Sequence, residues 1–155
     1  LIVGQSIRFA VEAKKSENRT SIQIEKGATY TISVSPLQVW QDAQISSSAA
    51  GWKIVKSDDD GEWSIEGLET QKIPFALGKF YQLSKGVSRM SAAEWMELIV
   101  EIKGEDSGKR YRIGSDFKVE FTATTSGKLI AYANDAPEFY QNNQGWIFAT
   151  IARTN

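Results

Sequence analysis

The loop at positions 134–145 carries four side chains whose oxygens could bind a hard cation. These are Asn134, Asp135, Asn142 and Asn143, and apolar segments that predict strands flank the loop on both sides. A calcium ion takes roughly six to eight oxygen ligands from carboxylates, amides and backbone carbonyls. If the loop folds back on itself, Asp135 and the Asn-Asn pair converge, and the sequence therefore indicates a calcium site. The same residue types are common in any long loop between strands, so a plain loop is the alternative.

The sequence of this loop resembles that of one protein family. It reads Asn-Asp-x-Pro-x-x-Tyr-x-Asn-Asn-x-Gly, after the strand-like run 128–133 and before the apolar run 146–151. This pattern is similar to the calcium loop of the galactophilic bacterial calcium-dependent lectins, and every fixed position matches without a gap. The resemblance covers residues 98–151 well and 22–40 loosely. It implies an antiparallel β-sandwich of the jelly-roll, galactose-binding kind.

The resemblance also implies a set of calcium ligands. Asp135 would supply carboxylate oxygens, Asn142 and Asn143 amide oxygens, and Phe139 its backbone carbonyl. Counting forward from the turn at Gly27 places Trp40 at an aromatic position whose carbonyl joins the calcium shell in this family. The alternative for Trp40 is an ordinary core residue. With Asp135 as the only carboxylate in this shell, we expect an Asp135→Asn change in an exposed loop to remove calcium with little loss of fold.

The same resemblance implies how a sugar would bind. In this family two neighbouring sugar hydroxyls complete the calcium shell, and sugar C–H faces also stack on aromatic rings. The expected sugar-binding residues are therefore Asp135, Asn142, Asn143, Trp40 and Tyr140. The implied ligand is a carbohydrate, galactose-like, bound through Ca²⁺.

This chain departs from the family in one region. The stretch Gln41–Met90 is longer than the family's counterpart, and the chain has no histidine, although the family uses one in sugar recognition. Asp42, Gln44 or the acidic run Asp58–Asp60 could replace it, and the sequence favours none of them. The preference for galactose is therefore less strongly indicated than calcium binding.

The composition excludes several classes of function. The 155 residues include no cysteine and no histidine, which removes disulfides, thiol chemistry and nucleophile systems that need a histidine base. A net charge of −1 gives no general attraction to nucleic acid or to anionic membranes. No apolar run is long enough to insert across a membrane. We expect one domain over 1–155 and an extracellular or periplasmic rather than cytoplasmic location. We also expect a homo-oligomer, because members of the family that the loop resembles tend to oligomerise.

The remaining pattern predicts an all-β fold with at most one short helix. Alternating apolar residues predict strands near 6–13, 21–25, 29–35, 98–102, 110–113, 118–123, 128–133 and 146–151, with a hairpin at 52–65. We expect residues 71–90 to form loop and one short strand. Ser91 and Glu94 form a capping-box pattern, which predicts a helical turn at 92–95, with a helix continuing to Ile102 as the alternative.

Three functions fit these features. The first is a non-enzymatic calcium-dependent sugar-binding module, and the second is a structural β-sandwich whose loop is rigidified by calcium. The third is an accessory domain of a glycoside-active enzyme, or a glycosidase that uses Glu94, Glu97 and Glu101. On a strand, however, Glu97 and Glu101 would share an exposed face, as would Glu105. An EF-hand loop with Gly61 as its sixth-position glycine fails, because its final position falls on Gly67 instead of a glutamate.

Overall fold

The computed structural model describes residues 1–104, 108–114 and 116–155, and strands dominate it. Glu105, which was expected to share an exposed face with Glu97 and Glu101, lies outside these residues. The described residues form thirteen strands and one α-helix in the order β1 (Ser6–Glu12), β2 (Asn18–Ile24), β3 (Thr29–Val34), β4 (Trp40–Asp42), β5 (Ile45–Ser47), β6 (Lys53–Lys56), β7 (Trp63–Glu66), β8 (Thr70–Ile73), α1 (Phe75–Ser84), β9 (Leu98–Lys103), β10 (Lys109–Arg112), β11 (Lys118–Thr122), β12 (Gly127–Ala133) and β13 (Asn143–Arg153). Short 3-10 turns lie at Lys85–Val87 and Tyr140–Asn142.

Two antiparallel sheets form the sandwich. One has the order β11-β3-β13-β4-β5, with β1 also paired to β13, and the other has the order β10-β9-β12-β2. The long strand β13 pairs with β4 near its start and with β3 near its end. A third, smaller sheet contains β6, β7 and β8 in that order.

Alternating apolar side chains of the two sheets meet in one core. Val11 and Ile151 from the first sheet and Val100 and Leu129 from the second are fully buried there. Each such side chain stabilises the fold by about 1.5–3 kcal/mol relative to leaving it in water. The predicted all-β sandwich with at most one short helix is confirmed.

The prediction of loop and one short strand for residues 71–90 was wrong about helix α1, whereas β8 reaches into this stretch as a short strand. Gly78 lies at the centre of α1, and a Cβ there would come within 2.3 Å of the Trp63 side chain. The helix can therefore pack closely on β7 only with glycine at this position. A glycine inside a helix weakens the helical signal in a sequence, which explains the error.

The capping-box pattern also misled. Residues 91–94 form a turn without helix, and Trp95 forms an isolated antiparallel bridge with Trp52. The Glu94 backbone N–H, which a capping box would pair with the Ser91 side chain, donates instead to the Glu97 carboxylate at 2.9 Å. The predicted hairpin at 52–65 corresponds to β6 and β7, while strand β9 starts at Leu98 as expected. In the described residues no helix has the length and apolarity needed to span a membrane.

Candidate functional site

The loop between β12 and β13 folds back so that its two ends meet. The Nδ2 atom of Asn143 donates to Oδ2 of Asp135 at 2.9 Å, and the Ala136 backbone N–H donates to Oδ1 at 2.7 Å. Asp135 is only 2% exposed, so the expectation of an exposed loop carboxylate was wrong. Burial raises the pKa of Asp135, because an ionised carboxylate loses hydration there.

Two loop residues hold the loop in place from inside the protein. Asn134 accepts a hydrogen bond from the Met90 backbone at 2.8 Å and donates to the Glu94 carbonyl at 2.9 Å, so its amide is fully used. Tyr140 is 3% exposed and its hydroxyl donates to the Ala133 carbonyl at 2.6 Å. Tyr140 therefore anchors the loop from inside, and its expected contact with a sugar stays a prediction.

A second carboxylate joins the loop from the neighbouring strand. Asp42, at the end of β4, is the register partner of Asn143, and the next residue, Ala43, donates its N–H to the Asn142 carbonyl at 3.2 Å. Asp42 is 9% exposed. Burial first, and then repulsion from the nearby Asp135 carboxylate, raise the pKa of Asp42 to about 6.

The two carboxylates line one small cavity of about 130 Å³. Asn142 lines the same cavity, and most of the remaining wall is aromatic, from the residues Trp52, Phe80, Tyr81, Trp95 and Phe139. The rings form a packed wall, with Trp52 stacked on Trp95 at 5.7 Å between centroids and Tyr81 edge-on to Trp52 at 5.2 Å. Phe80 and Phe139 are about half exposed and lie where the cavity meets solvent. The cavity therefore combines a negative polar floor with apolar walls.

No basic side chain neutralises these carboxylates within the part of the chain that the structure describes. The ion pairs there include neither Asp42 nor Asp135, and no lysine or arginine lines the cavity. The buried Oδ1 of Asn143 also has no hydrogen-bond partner. The Trp52 indole N–H lies close enough to Asp42 to favour its charged form, but it does not meet hydrogen-bond geometry. An uncompensated buried charge is costly, so this arrangement fits an added cation.

The oxygen set matches a hard cation more than a soft one. Among the described residues no group of three or more histidine, cysteine, aspartate or glutamate side chains comes together. Here two carboxylates are joined instead by the amides of Asn142 and Asn143, which are ligands typical of calcium. A flip of the Asn143 side-chain amide by 180° would exchange Oδ1 and Nδ2 and place Oδ1 beside Asp135.

Most residues of the expected shell lie together, and Trp40 is the exception. Asp135, Phe139 and Asn142 line the cavity, and Asn143 contacts Asp135. Trp40 is buried opposite Gly145, two positions further along β13 than Asn143. Its carbonyl as a calcium ligand stays a prediction, and Asp42 occupies the register position beside the asparagine pair. Sequence analysis had named Asp42 only as one of several replacements for the missing histidine.

Gly145 explains the close approach of β4 to β13. It has a φ of +93°, and a Cβ there would lie 3.1 Å from the Cα of Trp40. The left-handed region favours glycine, so no other residue fits without strain. This glycine therefore helps to bring Asp42 against the loop.

Two of the three glutamates considered for glycoside hydrolysis, Glu97 and Glu101, are paired with arginines. Glu97 is fully buried and accepts three hydrogen bonds of 2.9–3.1 Å from Arg112. Glu101 is also buried and pairs with Arg110 at 3.1 Å. The expectation that these glutamates lie on an exposed face was wrong, because the segment before β9 covers that face of the sheet. Two carboxylates locked by arginines are poor candidates for acid and base catalysis.

Fold and site together define an all-β sandwich with a buried carboxylate pair in an aromatic-walled cavity. No protein-family model matches the chain, and no curated protein matches it. Among solved structures, the chain is similar to one described as "EclA N-terminal domain; PllA-like lectin". That similarity has 15% sequence identity and a TM-score of 0.47, and it covers 94% of each chain.

Proposed function

We propose that this chain is a calcium-dependent carbohydrate-binding module. The observation that carries the proposal is the pair of buried carboxylates, Asp42 and Asp135, which no basic side chain of the described residues neutralises. Water alone compensates such a pair poorly, whereas a divalent cation would screen the repulsion and offset the desolvation cost. The lectin-like pattern of the loop sequence supports the same proposal independently.

The protein oxygens would leave room for an external ligand. Asp42, Asp135, Asn142 and Asn143 supply side-chain oxygens, and Phe139 offers its backbone carbonyl. A calcium ion seeks roughly six to eight oxygens, so one or more places remain for ligand or water. When bound, calcium supplies positive charge that polarises the hydroxyls of a ligand placed against it.

The cavity walls support a sugar as that ligand. A pyranose presents vicinal hydroxyls along one edge and C–H groups on its faces, and aromatic rings favour contact with such faces. Phe80 and Phe139 expose about half of their surface beside the cavity, where a sugar ring could pack. The carboxylate oxygens of Asp42 and Asp135 accept hydrogen bonds from polarised hydroxyls, which orients the sugar.

Galactose-like sugars are the first candidates, because of the resemblance of the loop. Affinity for a single monosaccharide should be weak, roughly micromolar to millimolar, since few ligand atoms make contact. A homo-oligomer would raise the avidity for a surface carrying many glycans. Both the sugar and the oligomer belong to the proposal.

The competing function is a calcium-rigidified loop without a sugar. The hydrogen bonds of Asn134 and Tyr140 already fix the loop from inside, so an added ion is not needed to hold it. This observation favours ligand binding over a purely structural ion.

A glycan array with calcium, and again with chelator, tests the proposal. We expect a set of galactose-like glycans to bind with calcium and to be released by chelation. Asp135→Asn should abolish this binding. Asp59→Asn is the matched control that should leave it unchanged, because the exposed acidic turn at 58–60 does not line the cavity. Binding that survives chelation, or no binding in either condition, would contradict the proposal.

A further inference from the structure

A second cleft of about 280 Å³ lies beside the candidate sugar cavity. Three lysines and three aromatic side chains line most of it: Lys53, Lys56, Lys85, Trp63, Tyr81 and Trp95. It is formed between strands β6 and β7 and helix α1. Strands β6 and β7 and helix α1 all belong to the stretch 41–90, in which this chain departs from the lectin pattern.

The charges of this cleft do not cancel among the described residues. Lys53 pairs with Glu66 at 3.2 Å, and Lys85 lies 3.6 Å from Glu94. Lys56 is exposed and forms none of the ion pairs found there, and its ammonium lies 5.9 Å from the centroid of the Trp63 ring. Glu94 also lines the cleft. The excess of positive charge is therefore carried by Lys56, in contrast to the negative cavity next to it.

Lys85 is placed to respond to an added anion. Its ammonium lies 5.3 Å from the centroid of the Trp95 ring and donates to the Ala93 carbonyl. Burial lowers the pKa of Lys85, because water is partly excluded from the ammonium. A negative ligand group would restore the lost solvation.

The two sites share a wall. Tyr81 and Trp95 line both the candidate sugar cavity and the lysine cleft. The two sites are therefore immediate neighbours, and a ligand larger than one sugar held at Asp42 and Asp135 would have the lysine cleft beside it.

We propose that the lysine cleft binds an anionic group, a carboxylate or a sulfate ester, on the sugar next to the calcium-bound one. This inference rests on the proposed function and names its ligand class as an acidic oligosaccharide. Ammonium groups form charge-assisted hydrogen bonds with such groups, and aromatic rings pack against the sugar that carries them. The arrangement favours a ligand with one neutral end and one acidic end.

The test compares a neutral galactose-terminated oligosaccharide with its counterpart that is sulfated on the second sugar, by calorimetry with calcium present. We expect the sulfated ligand to bind about tenfold more tightly at low salt, and the difference to shrink at high salt. Lys53→Gln/Lys56→Gln should reduce the difference, and Lys53→Gln/Lys56→Gln/Lys85→Gln should remove it, while both leave the affinity for the neutral ligand unchanged. Lys26→Gln/Lys128→Gln, at another basic cleft of the protein, is the control and should keep the difference.

The outcomes separate the two proposals. Equal affinity for the neutral and sulfated ligands, with calcium-dependent binding of both, would overturn this inference and leave the proposed function standing. A preference for sulfate that survives in Lys53→Gln/Lys56→Gln/Lys85→Gln would also overturn it. No binding of either ligand would overturn both proposals.

Discussion

Two regions of this protein bury a pair of carboxylates, and they neutralise them in different ways. At the outer face of the second sheet, Glu97 and Glu101 are matched by Arg112 and Arg110. At the cavity, Asp42 and Asp135 lie near each other without a basic partner among the described residues. Chains that bury charge for structure supply the counter-charge themselves. The cavity has no such counter-charge among the described residues, and this difference supports the proposal that it binds a cation from outside.

The largest effect is expected where the arginine is removed. Arg112→Leu leaves Glu97 fully buried without its partner, and breaking such a pair costs about 3–5 kcal/mol of the free energy of unfolding. Urea unfolding at neutral pH measures this loss. Arg19→Leu, which removes an exposed partner of Glu17, is the control and should cost below about 1 kcal/mol. Equal losses in both variants would contradict the structural role of the Glu97 pair.

Removing a carboxylate at the cavity should have the opposite effect on stability and stabilise the calcium-free protein. The folded-state pKa of Asp42 is raised to about 6 from 3.8, so the folded chain holds this proton more tightly than the unfolded chain. Its contribution to stability is complete below pH 3.8 and is lost as the pH rises through about 6. Without calcium, Asp42→Asn should therefore stabilise the protein at pH 7, by up to about 3 kcal/mol.

The pH dependence of this difference is the check. Chemical unfolding of wild type and Asp42→Asn should be compared between pH 4 and pH 7 with chelator present. The gap between their free energies of unfolding should grow as the pH rises. A gap that stays constant, or a variant less stable than wild type at pH 7, would show that Asp42 is already neutralised in the folded chain.

The smallest effect on stability should come from removing a single tyrosine hydroxyl group in each of the two regions. The Tyr132 hydroxyl donates to Glu101 at 3.2 Å, and that of Tyr140 donates to the neutral Ala133 carbonyl. Hydrogen bonds to charged groups contribute more than neutral ones, so Tyr132→Phe should cost about 2 kcal/mol and Tyr140→Phe about 1 kcal/mol. Thermal unfolding of both variants tests this order, and the reverse order would contradict it.

The sandwich could be predicted because its strands alternate clearly, as at Phe9 and Val11 of β1. Helix α1 could not, because Gly78 interrupts its pattern for a packing reason that only the contact with Trp63 reveals. The burial of Glu97 was missed for a similar reason, since an alternating strand does not show what covers its other face.

Only the part of the candidate site that lies in the loop between β12 and β13 could be predicted from the sequence. Asp135, Asn142 and Asn143 lie within ten residues of each other, so a local pattern could reveal them. Asp42 joins them through the pairing of β4 with β13, which no local pattern encodes. Its only sequence signal is a lone aspartate at the end of a three-residue strand.

The most direct test of the account is calcium calorimetry at pH 7. Wild type should bind one calcium ion per chain, and Asp42→Asn and Asp135→Asn should each lose this binding, because each removes one of two facing carboxylates. In Asp135→Asn the amide oxygen can still accept from Ala136, so circular dichroism should show the fold retained. Asp59→Asn should bind as wild type does. Unchanged calcium affinity in both cavity variants, or no calcium binding by wild type, would contradict the account.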